Sequence, residues 1–150
     1  MHTTIIMKWF SGVIVVVILF SGVNAYSQNA DSIVGEWYTE EERSVVEISQ
    51  CGNLYCGKII WLKYPKDEAG KDKVDAKNPD ETMRRTLLGL SILRDFKYKG
   101  AHEWEGGKIY DPKNGKTYSC KMTLQGNTLK VRGFVGISLL GRTTIGTKKI

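Results

Sequence analysis

Over most of the chain, apolar and polar residues alternate with a period of two, the spacing of a strand with one face buried and one solvated. A first strand is expected over 35–39 and a second over 44–49, where Val46 and Ile48 share a face. In a third, 55–62 (YCGKIIWL), Ile59 and Trp61 should share one face and Cys56, Ile60 and Leu62 the other. Residues 63–80 lose the period and collect Asp, Lys, Gly and Pro, the composition of a long loop. Helix-compatible residues at 81–88 follow the start signal Pro79-Asp80 and predict one or two helical turns. Strands resume at 91–96 and 108–110. Asn114-Gly115 predicts a hairpin turn, because that pair tolerates positive φ at two successive positions. Then 117–124 alternates again, Gly126-Asn127 turns into 128–134, and a last strand falls near 138–147. About eight short antiparallel strands with little helix predict an all-β domain. Closure into an up-and-down barrel would remove exposed sheet edges.

The alternation is absent at the N-terminus. Residues 10–20 (FSGVIVVVILF) are almost wholly apolar, follow a short lead containing His2 and Lys8, and precede the small residues Val23 and Ala25. This is the pattern of a cleavable secretory signal over residues 1–25, with cleavage after Ala25 or, equally, after Ser27. A retained anchor needs about 20 apolar residues, and this run is interrupted by Ser11, Gly12, Ser21, Gly22 and Asn24. No Cys directly follows it, which argues against a lipid anchor, and no second run is long enough to span a membrane. The expected product is one domain, 26–150, exported to a periplasm or secreted.

Charge changes the picture little. The net charge of +6 falls to +5 without Lys8. The cations alternate with acids, as in KDEAGKDKVDAK at 66–77, so a solvated mixed-charge surface is expected rather than a nucleic-acid partner. Export permits disulfides. Cys51 and Cys56 flank a plausible hairpin tip and could bridge two strands, a short loop contributing about 2 kcal/mol in the chain-entropy model. Cys120 alternates with Tyr118, Met122 and Leu124, which predicts a buried, unreactive thiol. Three Cys and one His beyond the leader are too few for a four-ligand zinc site, and no metal or cofactor is expected.

Gly35-Glu36-Trp37 on the first strand and Arg142 on the last resemble barrels of the lipocalin type, in which such an Arg packs against the Trp. Larger blocks carry a wider resemblance. These are CGNLYCGKIIWL at 51–62, Asp75-x-x-Asn78-Pro79-Asp80, LLGLSIL at 87–93, GGKIYDPKNGKTY at 106–118, LKVRG at 129–133 and SLLGRT at 138–143. Together they resemble the bacterial exported family known as domain of unknown function 2147. The resemblance implies a calycin-like barrel in the bacterial envelope or outside the cell, and no activity. The family usually closes with a Trp shortly after Gly-Arg-Thr. Here the chain reads Thr144-Ile145-Gly146-Thr147, so the end of the last strand is expected to fray.

No catalytic motif emerges. His102 is expected at the surface, and Ser138 lies outside a Gly-x-Ser-x-Gly pattern. Asp72, Asp75, Asn78 and Asp80 match no EF-hand and read as turn formers, with Asn78 and Pro79 fixing the loop exit and Asp111 building a tight turn. If the barrel holds a ligand, Trp61, Arg84, Tyr110, Tyr118 and Arg132 are the candidates to line its site, the arginines for an anionic group, while Gly35, Trp37 and Arg142 are structural. The preferred expectation is a non-catalytic barrel for a small, partly apolar or anionic ligand or an envelope component. A filled barrel with a structural role is one alternative. A hydrolase or other enzyme with an acid pair drawn from Glu47, Glu103, Asp111 and similar residues is the other.

Overall fold

The computed structural model of the protein describes residues 30–150; the expected signal, 1–25, lies outside the described residues. Eight antiparallel strands run in chain order around a closed barrel, β1 through β8. They are β1 (Gly35–Tyr38), β2 (Ser44–Cys51), β3 (Leu54–Leu62), β4 (Ser91–Gly100), β5 (Glu103–Asp111), β6 (Lys116–Gln125), β7 (Thr128–Phe134) and β8 (Arg142–Lys148). The helix expected at 81–88 is only a 3-10 turn, Glu81–Met83, capped by the Asp80 carboxylate, which accepts from the Thr82 N–H at 2.9 Å.

One end of the barrel is packed shut. Ile33, Trp37, Phe96, Trp104, Met122 and Leu129 are buried there in a single cluster, and the inward side of β6 contributes Cys120, as its alternation predicts. The short segment ahead of β1 plugs this base. Trp104 Nε1 donates to the Ala30 carbonyl at 3.1 Å, Trp37 Nε1 to Ile33 O at 2.7 Å, and the Tyr55 hydroxyl to Asp31 Oδ1 at 2.6 Å. Phe96 lies directly over Gly107, where an added Cβ would fall 2.4 Å from its ring. Only glycine lets β5 pass that ring.

β1 and β8 close the barrel through two residue pairs, Trp37↔Lys148 and Tyr38↔Thr147. The expected fraying does not occur, since Lys149 continues the seam with an N–H bond of 2.9 Å to Glu36 O. The cation over Trp37 is not Arg142. Antiparallel pairing puts Arg142 opposite Gly133 at the far end of β8, about 20 Å from Lys148 at strand spacing. Lys148 Nζ lies 5.2 Å from the Trp37 ring centroid, 3.3 Å from Ser32 O and 3.4 Å from Val34 O, the place expected for the arginine. Arg142 is instead exposed, with Glu40 at 3.9 Å.

Turn chemistry departs from expectation at two hairpins. Asp111 pairs with Lys116, so the β5–β6 loop has four residues and only Gly115 takes positive φ (+71°). The two-residue hairpin turn with positive φ at both positions is Ala101-His102, at 51° and 59°, and Glu41 and Glu42 between β1 and β2 also take positive φ.

Candidate functional site

Opposite the plugged base the barrel is open. A cavity of ≈ 1410 Å³, counted with its mouth, descends to a floor of Trp37, Ile48, Leu93 and Leu129. Its walls include Ile59, Leu62, Ile109, Tyr118 and Val131. Inward-facing positions near the base are filled by large aromatics, whereas here most carry aliphatic side chains or, at 133, glycine, which leave the space unfilled.

The long loop and the β5–β6 turn build the rim together. Asp75 is fully buried, and the Tyr110 hydroxyl lies 2.8 Å from both of its carboxylate oxygens. Asn78 Nδ2 donates to the same carboxylate at 2.9 Å. Burial first, and then the hydrogen bond to Asp75, push the Tyr110 phenol up to about 12. Two residues further on, Lys77 O lies so close to Gly115 that a Cβ there would stand 1.9 Å from it. Asp111 holds the turn by accepting from the Lys113 N–H at 3.0 Å and from Asn114 Nδ2 at 3.1 Å. Asn114 Nδ2 also donates to the Tyr118 hydroxyl at 2.9 Å. Asn78 Oδ1 accepts from Asp80 N at 3.0 Å, which fixes the loop exit around Pro79.

Cations dominate the mouth. Arg43 pairs with Glu41, and Arg142 faces Glu40. Lys63, Lys73, Lys77 and Lys113 line the same opening and form no ion pair among the described residues; Lys73 lies 5.9 Å from the Tyr64 ring.

Of the five residues expected to line a ligand site, Tyr110 and Tyr118 line the cavity and three do not. Trp61 is on the outer surface. Val45 pairs with Trp61 but Val46 with Ile59, so Ile60 is an extra residue in β3, and the bulge reverses which side faces out. Trp61 therefore shares the outer face of Val45, 43% exposed, and Leu62 points inward instead. Arg84 braces the long loop, donating to Asn78 O at 3.2 Å and Glu81 Oε1 at 2.9 Å. Arg132 alternates with the inward Val131 and Gly133, and spends its guanidinium on Ser138 O (2.7 Å), Leu139 O (3.0 Å) and Thr143 Oγ1 (2.8 Å). Glu47, Glu103 and Asp111 do not come together. Glu47 pairs with Lys58 across β2 and β3 at 3.2 Å, and Glu103 begins β5 at the end opposite Asp111. Asp72 of the same loop pairs with Lys66 at 2.6 Å.

Two features went unread in the sequence. Asp75 looked like one more turn former, since nothing local reveals that Tyr110 will cover it. Of the four rim lysines, Lys73 and Lys77 are hidden among the acids of 66–77, and Lys63 and Lys113 stand apart from them in sequence.

A family model described as "Uncharacterized protein conserved in bacteria (DUF2147)" matches residues 35–148, from the first strand to the end of the last. The chain belongs to the DUF2147 family. A solved structure, protein HP1028 from Helicobacter pylori, described as belonging to the lipocalin family, superposes with a TM-score of 0.68. The two are 24% identical, and the match covers 78% of this chain and 82% of that one. The barrel of this DUF2147 protein is thus lipocalin-like in fold. No curated protein matches the sequence. Cys51 and Cys56 form the expected disulfide across the β2–β3 hairpin, with Cα atoms 5.9 Å apart. No helix among the described residues is long and apolar enough to cross a membrane.

Proposed function

We propose that this DUF2147 protein is a non-catalytic carrier that holds a small, partly apolar molecule with an anionic end group in its barrel. The open cavity carries the reading. Its apolar floor and walls suit a hydrocarbon portion, and its volume accommodates a drug-sized ligand. The four lysines without ion pairs give the mouth a positive field that favours a carboxylate, phosphate or sulfate left at the opening. Tyr118, inside the rim, adds a phenol as a further polar contact.

Export is part of this reading. It is supported by the apolar leader and by a disulfide of the kind that persists in oxidising compartments. The N-terminus of the protein recovered from outside the cytoplasm should begin at Tyr26 or Gln28.

Fluorescence titration with a dansylated undecanoate tests the binding. Uptake at micromolar concentration is expected, with displacement by dodecanoate at least about tenfold more effective than by dodecanol, which has the same chain without the charge. Lys63→Glu with Lys113→Glu should remove that preference. Absence of any uptake, or equal displacement by acid and alcohol, would overturn the proposal. Native mass spectrometry of protein purified undenatured from its host should show a bound anionic species.

A further inference from the structure

The two ends of the barrel differ in what they show to solvent. At the base, the tips Gly52-Asn53, Ala101-His102 and Gly126-Asn127 present no large apolar side chain. At the mouth, the segment between β7 and β8 reads VGISLLG at 135–141. It exposes Val135 (71%), Ile137 (61%), Leu139 (82%) and Leu140 (76%). Tyr64 and Val74, also exposed, stand on the same rim. Val135 and Leu140 border the cavity mouth, while Ile137 and Leu139 stand clear of it. Their backbone is nonetheless fixed, because Arg132 binds the carbonyls of Ser138 and Leu139. Exposed apolar groups clustered at one place mark an interaction surface.

Lys63, Lys73, Lys77 and Lys113 line the same opening, so apolar tips and uncompensated cations share one end of the molecule. A bilayer with anionic headgroups complements both at once. Apolar side chains enter the boundary between headgroups and acyl chains, and the lysines meet lipid phosphates. We infer that the open end docks on an anionic phospholipid bilayer, with the 135–140 loop inserted and the lysine rim on the headgroups, so that the cavity mouth faces the lipid. The dock deepens the carrier reading, because an amphiphile could then enter the barrel from the membrane without crossing water. It does not require that reading to hold.

Co-sedimentation with vesicles tests the dock. Full-length processed protein should bind vesicles of phosphatidylglycerol and phosphatidylcholine, and on the order of tenfold or more weakly those of phosphatidylcholine alone. Raising the salt should weaken binding to the anionic vesicles. Ile137→Asp with Leu139→Asp should lower that binding by on the order of tenfold or more. Neither residue lines the cavity, so uptake of the dansylated probe should be unchanged, and an unaltered circular dichroism spectrum shows the fold intact. Absence of vesicle binding by the unaltered protein, or equal binding by the double variant, overturns the dock. So does concentration-dependent self-association in sedimentation velocity that the double variant abolishes, which would make the loop a contact between copies. If vesicle binding behaves as stated while the probe is not taken up, the carrier reading fails and the dock stands.

Discussion

A single O–H, that of Tyr110, is shared between both oxygens of the buried Asp75 carboxylate, and it ties the long loop to the barrel rim. The phenol ionises at about 12 in the fold and near 10 in an unfolded chain. A raised pKa means that the folded state holds the proton more tightly. The stabilisation is therefore complete below about pH 10 and is lost as pH rises through about 12. Tyr110→Phe should cost about 1–3 kcal/mol at pH 7, because the buried Asp75 keeps only Asn78 as a side-chain donor, and should flatten the alkaline decline in stability. Urea denaturation across this pH range checks both, and an unchanged slope would separate Tyr110 from the effect. Cys120 adds to the same decline in both proteins, its thiol pushed up to about 12 by burial. That thiol should resist an aromatic disulfide reagent in the native state and react once the chain is unfolded; rapid native labelling would place it at the surface. At this scale the sequence showed position parity well and partnership poorly. Cys120 follows directly from alternation along β6, whereas the Asp75–Tyr110 bond joins residues 35 apart and leaves no periodic trace.

Among the elements, the β4–β5 hairpin carries visible strain. Ala101 and His102 both take the left-handed conformation, which costs a residue with a Cβ about 1–2 kcal/mol relative to its preferred regions. Asn and Gly are the residues this two-residue turn favours. Ala101→Asn with His102→Gly should therefore stabilise the protein by about 1 kcal/mol and raise the melting temperature by roughly 2–8 °C. Calorimetry checks it, and a lower melting temperature would mean that the native side chains make contacts worth more than the strain. The same hairpin shows where pattern reading stopped short. Period-two alternation recovered the strands with uniform faces, but β5 reaches back to Glu103 through Gly106-Gly107, where glycine replaces the inward apolar residue so that Phe96 can pass. In β3 one inserted residue, Ile60, sent Trp61 outward against a correct strand assignment. Bulges and glycine steps are set by the opposing strand, so a one-strand pattern does not contain them.

For the whole molecule, the base and the mouth divide two tasks. The base holds the packed aromatics and the plugging N-terminal segment, and the mouth leaves apolar walls unfilled and apolar tips exposed. A barrel filled throughout would bury more apolar surface and be more stable, but would hold nothing. Stability should accordingly be concentrated at one end. Trp104 is fully buried, lies 5.0 Å from Tyr98 and 6.5 Å from Tyr55 by ring centroids, and bonds to Ala30 O. Trp104→Ala removes that packing and frees the plug together, so the loss should be about 3–5 kcal/mol, a large share of the about 5–15 kcal/mol available to a domain. Val135→Ser at the mouth should change stability by no more than about 0.5 kcal/mol, since the side chain is 71% exposed. Urea midpoints of the two variants measure the contrast. Comparable losses at both ends would mean that the mouth loop packs in solution against something that its exposure in the isolated chain does not show, and stability would then be shared along the barrel rather than held at its base.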